Sequence, residues 1–246
     1  MPVYRVSHPQ QSWYGESVGI LILNAAYPCI PGNVGNATTF GFPVRYKEIR
    51  EASIDRLLNQ RDRSLIEPFI AAARELEAEG VKAITGACGF MALFQREIAA
   101  AVSIPVFISS LLQIPFMHQM AGPGRRIGII TANAAALTDV HFKAVGVSPD
   151  IPLAIAGMQE KDEFRQAVLE EKGTLDSTLM EQEVVTVARE LVAQYADIGA
   201  ILLECSDLPP FAHAVQAATG RPVFDFITMI RYVHTALVQR PYGGSM

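Results

Sequence analysis

The sequence of 246 residues lacks the features that mark several common classes of protein. It carries 20 lysine and arginine residues against 25 aspartate and glutamate residues, a formal net charge of −5, and no basic stripe of the kind that binds a phosphate backbone. We therefore expect no nucleic-acid partner. No apolar run reaches the roughly 18 residues of a membrane span, and the N-terminus has no basic start followed by a long apolar segment. We expect a cytoplasmic protein with no membrane partner.

Cysteine is also scarce. The three cysteines, Cys29, Cys88 and Cys205, are an odd number without CxxC spacing, which argues against a disulfide framework or a zinc knuckle. The histidines show no ligand spacing and there is no Walker loop, so we expect neither a metal site nor a nucleotide cofactor. The glycines of MAGPGRR, residues 120–126, precede an apolar run instead of following one, which excludes a dinucleotide-binding fingerprint.

An internal repeat is the main feature that the sequence does contain. VGILILNAA from Val18 matches IGIITANAA from Ile127, and VKAITGAC matches IGAILLEC, so that Cys88 aligns with Cys205. The chain is therefore a duplicated unit with one aligned cysteine in each copy.

Each copy alternates apolar runs with helical patterns, as is typical of a parallel sheet covered by helices. Strands are predicted near residues 18–24, 42–47, 81–86 and 104–109, and again near 127–132, 151–156, 198–203 and 221–226. We predict an α/β fold with two pseudo-symmetric domains, each an open parallel sheet flanked by helices, and an active site in the cleft between them. The first half would span residues 1–120 and the second 121–226.

Both aligned cysteines fall at the carboxyl end of a predicted strand, where a helix begins. Ligands of open α/β sheets bind at that edge, and a helix N-terminus favours a thiolate. One such cysteine would most simply be a packing residue, but two at equivalent positions indicate a function. We predict that Cys88 and Cys205 are catalytic and face one another across the cleft.

A duplicated unit with one strand-end cysteine in each half resembles the aspartate/glutamate racemase superfamily, over residues 18 to 235. The resemblance implies a cofactor-independent enzyme whose two thiols act on opposite faces of a carbon next to a carboxylate or carbonyl. One thiol removes a proton and the other returns one. It also implies that the C-terminal segment, residues 227–246, returns to the first half.

The two cysteine motifs match this superfamily unequally. CSDLPP, residues 205–210, resembles its second motif, so Ser206 carries over as a donor to a substrate carboxylate. The first motif reads CGFMA, where Gly89 and Phe90 offer backbone N–H groups but no polar side chain. This departure argues against a plain amino-acid racemase.

Other candidate ligands come from the repeat. Asn24 and Asn133 occupy equivalent positions just past the first strand of each half, and Thr131 lies just before Asn133. These side chains can donate to a carboxylate, although either asparagine could equally cap the next helix. The prolines and glycines of segment 27–41, which contains Cys29, oppose the helix expected in the second copy. We interpret this segment as a lid or specificity loop and Cys29 as incidental.

The two thiols are expected to differ at rest. Cys88 has no acidic neighbour in the sequence, whereas Cys205 lies between Glu204 and Asp207, and nearby carboxylates disfavour a thiolate. Cys88 would then be mainly the base and Cys205 mainly the acid. The alternative is that Asp207 caps its helix and Glu204 points to the other side of the strand.

Several functions stay open on this basis. The first is a racemase or isomerase that acts on a small carboxylate or a cyclic amide, such as an amino acid or a hydantoin. The alternatives are a lyase resembling dimethylsulfoniopropionate lyase, a decarboxylase, and a non-catalytic sensor that binds a small molecule in the same cleft. A homo-oligomer is possible, since the apolar pattern FITMIRYVHTALV can pack on the first half or on another subunit.

Overall fold

The structure is a computed structural model, and it describes residues 3–6 and 11–244. The outer ends of the predicted segments 1–120 and 227–246 therefore lie partly outside the described residues. Within these residues eight strands form two sheets, and every pairing in them is parallel. The predicted α/β fold is confirmed.

The first sheet has the order β2-β1-β3-β4 and the second the order β6-β5-β7-β8. The strands of the first sheet are β1 Val18–Leu23, β2 Val44–Ile49, β3 Ala83–Gly86 and β4 Val106–Phe107. Those of the second are β5 Arg126–Thr131, β6 Leu153–Gly157, β7 Ile198–Leu203 and β8 Val223–Phe224. The two orders are the same, as a duplicated unit requires.

Helices cover both sheets. The α-helices are α1 Ile54–Leu58, α2 Ile66–Ala78, α3 Gln95–Ala101, α4 Ile114–Ala121, α5 Asp139–Ala144, α6 Asp162–Phe164, α7 Ser177–Gln194, α8 Ala212–Thr219 and α9 Phe226–Leu237. A π-helical turn, Arg165–Leu169, extends α6, and short 3₁₀ helices include Ala37–Thr39, Gly89–Phe94, Ser110–Gln113 and Pro209–Phe211. No helix in the described part of the chain combines the length and the apolar character needed to cross a bilayer.

The two faces of the first sheet pack against different helices. Leu21 and Leu23 belong to the large apolar core, whereas Val18 and Ile20 form a second cluster with side chains of α9. This division follows from the alternation of side chains along β1, because successive residues of a strand point to opposite faces.

The last helix of each half lies against the sheet of the other half. Helix α4 packs against β5 and β7, and Ile114 and Met117 on it are fully buried. Helix α9 places Phe226 and Ile230 in the cluster with Val18 and Ile20 of β1. The two halves therefore exchange their terminal helices. The division of the chain at residues 120 and 226 stays a prediction.

The connection after the first strand differs between the halves. Segment 27–41 contains only the 3₁₀ turn Ala37–Thr39, which Asn36 caps by accepting the Thr38 N–H at 2.9 Å. The second half has α5 in the equivalent place. Proline lacks the N–H of a helical hydrogen bond and is disfavoured in a helix interior, and Pro28 and Pro31 both fall in the first connection.

We predict that Ile230→Ala lowers the free energy of unfolding by about 2–5 kcal/mol, the cost of emptying a buried site. Ile230 is 0% exposed between α9 and the first sheet. The matched control on the same helix is Tyr232→Ala, because Tyr232 is 79% exposed and its loss should change stability by less than about 1 kcal/mol. Urea denaturation of both variants measures the difference. Equal losses would contradict the packing of α9 described above.

Candidate active site

Cys88 and Cys205 line one cavity between the two halves. Cys88 comes two residues after β3 and adopts an extended conformation at the start of the 3₁₀ helix Gly89–Phe94. Cys205 comes two residues after β7. The same cavity is lined by Gly89, Phe90 and Ser206. The structure thus brings together five of the residues that the sequence singled out.

The cavity is narrow, with a volume of about 20 Å³, room for one water molecule. Tyr27 from segment 27–41 and Leu169 from the second half form part of its walls. Near these walls the Ala26 N–H donates to Glu171 Oε2 at 2.6 Å, which joins the two halves. A ligand larger than a water molecule therefore needs more room than the cavity has with its walls in this arrangement.

The Cys88 thiol is partly buried. Burial raises its pKa well above the usual value, and the charge of Glu204 raises it further. Hydrogen bonds from the N–H groups of Phe90 and Met91 act in the opposite direction. The start of the 3₁₀ helix thus supplies the donors to the thiolate that the sequence predicted, but Glu204 opposes them across the cavity.

Cys205 is 7% exposed, and its thiol donates to Asp207 Oδ2 at 3.3 Å. Burial raises the pKa of this thiol, and the charges of Asp207 and then Glu204 raise it further. The predicted influence of the two flanking carboxylates on Cys205 is therefore present in the structure. The alternative orientation of Glu204, toward the other side of the strand, is wrong, because Glu204 lines the cavity.

Asp207 is held on both oxygens. Oδ1 accepts the Asn33 Nδ2–H at 2.6 Å, and Oδ2 accepts the Cys205 thiol. Burial raises the pKa of Asp207, while hydrogen bonds from Asn33, Cys205 and Tyr27 counteract that increase. Segment 27–41 thus reaches the site through Tyr27 and Asn33. Cys29 is not part of the cavity lining, and burial followed by the charge of Asp207 raises its pKa to about 11.

Sequence reasoning treated Glu204 only as a neighbour of Cys205 and missed that its carboxylate reaches Gly89 and Cys88 of the first half. Glu204 is 0% exposed, its Oε2 accepts the Thr131 hydroxyl at 2.8 Å, and burial raises its pKa to about 7. Its other oxygen, Oε1, has no hydrogen-bond partner among the described residues. A Cβ placed on Gly89 would lie 1.8 Å from this oxygen, so Glu204 occupies space that only glycine leaves open. The repeat contained the signal, because it aligns Glu204 with Ala87, another cavity residue.

The structure gives Ser206 a role different from the predicted one. Its hydroxyl donates to the Ala87 carbonyl at 2.7 Å, and the residue is 2% exposed. A hydroxyl has one proton to donate, so this proton is not available for a substrate carboxylate. Ser206 instead ties the end of β3 to the end of β7.

Asn24, Asn133 and Thr131 are absent from the cavity lining. The Asn24 amide donates to the Arg50 carbonyl at 3.1 Å. Asn133 Oδ1 accepts the N–H groups of Ala135 and Ala136 at 3.0 and 3.2 Å. Asn133 thus folds back onto its own turn, whereas Asn24 links the ends of the neighbouring strands β1 and β2, so both side chains have structural contacts instead of the predicted substrate contact. Thr131 acts on the site indirectly, through its hydrogen bond to Glu204.

Among the described residues, no group of three or more histidine, cysteine, aspartate and glutamate side chains is placed to hold a metal ion.

Comparison with known proteins adds sequence relatives. The family model described as Asp/Glu/Hydantoin racemase matches residues 51–230. A dimethylsulfoniopropionate lyase from Durusdinium sp. clade D is 33% identical over 234 residues, which cover 93% of this chain and 77% of that protein. Dimethylsulfoniopropionate lyase 7 from Emiliania huxleyi strain CCMP1516 is 33% identical over 237 residues, which cover 93% of this chain and 69% of that protein.

Solved structures share the fold. A mutant of arylmalonate decarboxylase in its sulfate-associated form superposes with a TM-score of 0.61 at 16% identity, covering 90% of this chain and 92% of the other. At this identity the likeness shows the architecture of two sheets and says nothing of the reaction.

We predict that Gly89→Ala lowers the free energy of unfolding by about 1–3 kcal/mol, because the new methyl group collides with Glu204. Truncation of the partner relieves part of this collision, so the double variant with Glu204→Ala should lose less than the two single variants together. Gly41→Ala is the control, since nothing lies within 4 Å of a Cβ there. Strict additivity in urea denaturation would contradict the contact.

We also predict that the free energy of unfolding of Glu204→Gln increases relative to that of the wild type as the pH rises. The folded protein keeps a proton on Glu204 up to about pH 7, whereas the unfolded chain loses it near the ordinary value of 4.5. Between these values the folded state binds more protons, so this residue makes stability fall as pH rises. Relative to wild type, the variant should gain about 1–3 kcal/mol between pH 4 and pH 8.

Urea denaturation across this pH range tests the prediction. Asp207 is present in both proteins, so its own titration largely cancels in the difference. A difference in stability that does not change with pH would show that Glu204 titrates normally.

Proposed function

The chain belongs to the Asp/Glu/Hydantoin racemase family, and from that premise we propose that it is a lyase that releases dimethyl sulfide from dimethylsulfoniopropionate. This family is the one that the paired cysteines predicted. The names of the relatives support the lyase alternative over the racemase that the sequence placed first.

The proposed reaction is a β-elimination. A base takes a proton from the carbon next to the carboxylate, and the electrons of that C–H bond form a carbon–carbon double bond. The bond from the next carbon to sulfur breaks, and its electron pair goes to sulfur. The products are dimethyl sulfide, acrylate and a proton left on the base.

The charge of the cavity lining is the observation that carries this proposal. Two buried carboxylates, Glu204 and Asp207, line the cavity together with Tyr27 and Phe90, and none of the lining residues is lysine, arginine or histidine. Aspartate and glutamate carry a second carboxylate, which such a lining would repel. A sulfonium cation is attracted both by carboxylates and by the faces of aromatic rings.

The substrate's own carboxylate needs donors, and the chain offers them as backbone N–H groups. The 3₁₀ helix Gly89–Phe94 begins at the cavity wall, and free N–H groups at such a start favour an anion. The Phe90 and Met91 N–H groups already act on the Cys88 sulfur. Glu204 Oε1 lies against Gly89 at this same start, so the groups that suit the anion and the cation of the substrate are adjacent.

Elimination divides the work of the two thiols unequally. Dimethyl sulfide leaves as a neutral molecule, so the reaction needs one base and no acid. Cys88 is the better base, because N–H donors reach its sulfur, whereas Cys205 donates its proton to Asp207. The charge of Glu204 raises the pKa of Cys88, and a bound sulfonium would offset that charge and make the thiolate more accessible.

Racemisation stays the second candidate, on one specific observation. Two cysteines at equivalent strand ends line the same cavity, and inversion at carbon requires proton delivery from the face opposite abstraction. In a two-base racemase the loss of either thiol should be equally damaging.

We predict that incubation with dimethylsulfoniopropionate releases dimethyl sulfide, measured by headspace gas chromatography, and acrylate, measured by NMR. Cys88→Ser should lower kcat at least about 100-fold, as loss of a general base does. Cys205→Ser should cost less, because a hydroxyl still donates to Asp207. Cys29→Ser is the control and should keep the wild-type rate, since Cys29 is not part of the cavity lining.

Absence of dimethyl sulfide would overturn the proposal. The racemase alternative is tested in the same way with aspartate, glutamate and hydantoins in heavy water. Deuterium at the carbon next to the carbonyl, with loss of optical activity, would establish it instead.

A further inference from the structure

Glu204 has an arrangement that packing does not explain. It lies just past the end of β7, fully buried, and its carboxylate is oriented by a single side chain, Thr131, which donates to Oε2 at 2.8 Å. Oε1 lines the space beside Gly89 and has no hydrogen-bond partner among the described residues. A buried carboxylate oxygen left without a partner is costly, so this geometry indicates a group that arrives from outside the chain.

The neighbouring carboxylate cannot take the same part. Asp207 already accepts hydrogen bonds on both oxygens, from Asn33 and from Cys205. Of the two carboxylates, Glu204 is therefore the one with an oxygen, Oε1, that has no hydrogen-bond partner among the described residues. No lysine, arginine or histidine among the lining residues is available to neutralise it.

We propose that Glu204 is the counter-ion that selects the cationic group of the substrate. Oε1 faces that group, and Gly89, which has no side chain, leaves room for the Glu204 carboxylate. This assignment rests on the proposed function. It names the residue that determines the substrate class, which is a small carboxylate with a permanent onium charge. A sulfonium has no N–H to donate. It needs a bare negative oxygen instead of a hydrogen-bond acceptor in a fixed geometry, which is what Oε1 presents.

The chemistry of elimination defines how this role would appear in kinetics. The sulfonium charge disappears as the carbon–sulfur bond breaks, so a pairing with Glu204 stabilises the bound substrate more than the transition state. Removal of Glu204 should therefore raise KM for dimethylsulfoniopropionate at least about 30-fold, the scale of a lost partner in a buried charge pair. The loss should fall on KM instead of kcat. A fall in kcat at unchanged KM would instead make Glu204 a proton-transfer residue and overturn the assignment.

Binding without turnover tests the assignment directly. The probes are the ammonium analogue of the substrate, in which trimethylammonium replaces dimethylsulfonium, and its carbon isostere, in which a quaternary carbon replaces the nitrogen. The two have the same shape and differ in one charge. By calorimetry at pH 8, wild type should bind the ammonium analogue at least about 30-fold more tightly than the isostere. Glu204→Gln should remove this preference, and Glu181→Gln, the matched control at an exposed glutamate of α7 outside the cavity lining, should keep it.

A second measurement needs no variant, so it holds even if Glu204→Gln fails to fold. The titratable groups that face Glu204 are Cys88, Cys205, Asp207 and Tyr27. Burial raises the pKa of Glu204 to about 7, so affinity for the ammonium analogue should rise between about pH 6 and pH 8. Affinity for the isostere should fall over the same range, because the ionised Glu204 repels its carboxylate. Glu181→Gln should show the same pair of trends.

Equal affinity of wild type for both probes would overturn the assignment, as would a preference that survives in Glu204→Gln. These outcomes are distinct from failure of the proposed lyase. A protein that prefers the cation yet releases no dimethyl sulfide refutes the reaction and keeps the counter-ion. A protein that releases dimethyl sulfide but does not prefer the cationic probe supports the reaction and refutes the counter-ion.

Discussion

The site depends on two hydrogen bonds from serine hydroxyl groups to main-chain carbonyls. Each carbonyl lies just past the end of a strand, one in each half. Ser206 donates to the Ala87 carbonyl at 2.7 Å, and Ser110 donates to the Glu204 carbonyl at 3.0 Å. Each of these carbonyls belongs to the residue just before an aligned cysteine. The positions of Cys88 and Cys205 are therefore set by backbone contacts, and the thiols need no contact of their own to be held in place. Buried hydrogen bonds of this kind give a reactive group a fixed position before any ligand arrives.

The same contacts show where the duplication ceases to be symmetric. The repeat aligns Ala87 with Glu204 and Gly89 with Ser206. Across the cleft, Ser206 contacts Ala87, whose side chain is small. In the equivalent contact, Gly89 has no side chain, and the Glu204 carboxylate fills the space beside it. One wall of the cavity becomes acidic while the equivalent wall stays apolar. The duplicated frame thus acquires two unlike walls.

Sequence reasoning located the fold and the thiols because both depend on patterns that repeat. The apolar runs around Val18 and Ile127 recur with the same spacing, and β1 and β5 lie where they were predicted, within a residue. Proline and glycine in segment 27–41 correctly predicted that the helix equivalent to α5 is missing there. These features are local, so the sequence itself contains them.

The contacts across the cleft were not predictable in the same way. Asn24 and Asn133 are at equivalent positions, yet each bonds to nearby backbone, because a short amide side chain just past a strand finds such partners first. Cys88 has no acidic neighbour in the sequence, yet Glu204, from the other half, acts on it. The direction of a side chain that follows a strand depends on how the backbone turns there. The charges around a thiol depend on which half it faces.

The exchange of terminal helices has a consequence for how the protein is made. The ribosome releases the chain from its N-terminus, so the first sheet is complete once Phe107 has emerged. The face of that sheet with Val18 and Ile20 nevertheless stays uncovered until Phe226–Leu237 follows. Helix α4, in contrast, is synthesised before the sheet that it covers. The first half cannot finish folding before α9 has been translated, so the nascent chain carries a bare apolar surface from the emergence of Phe107 until that of Phe226–Leu237.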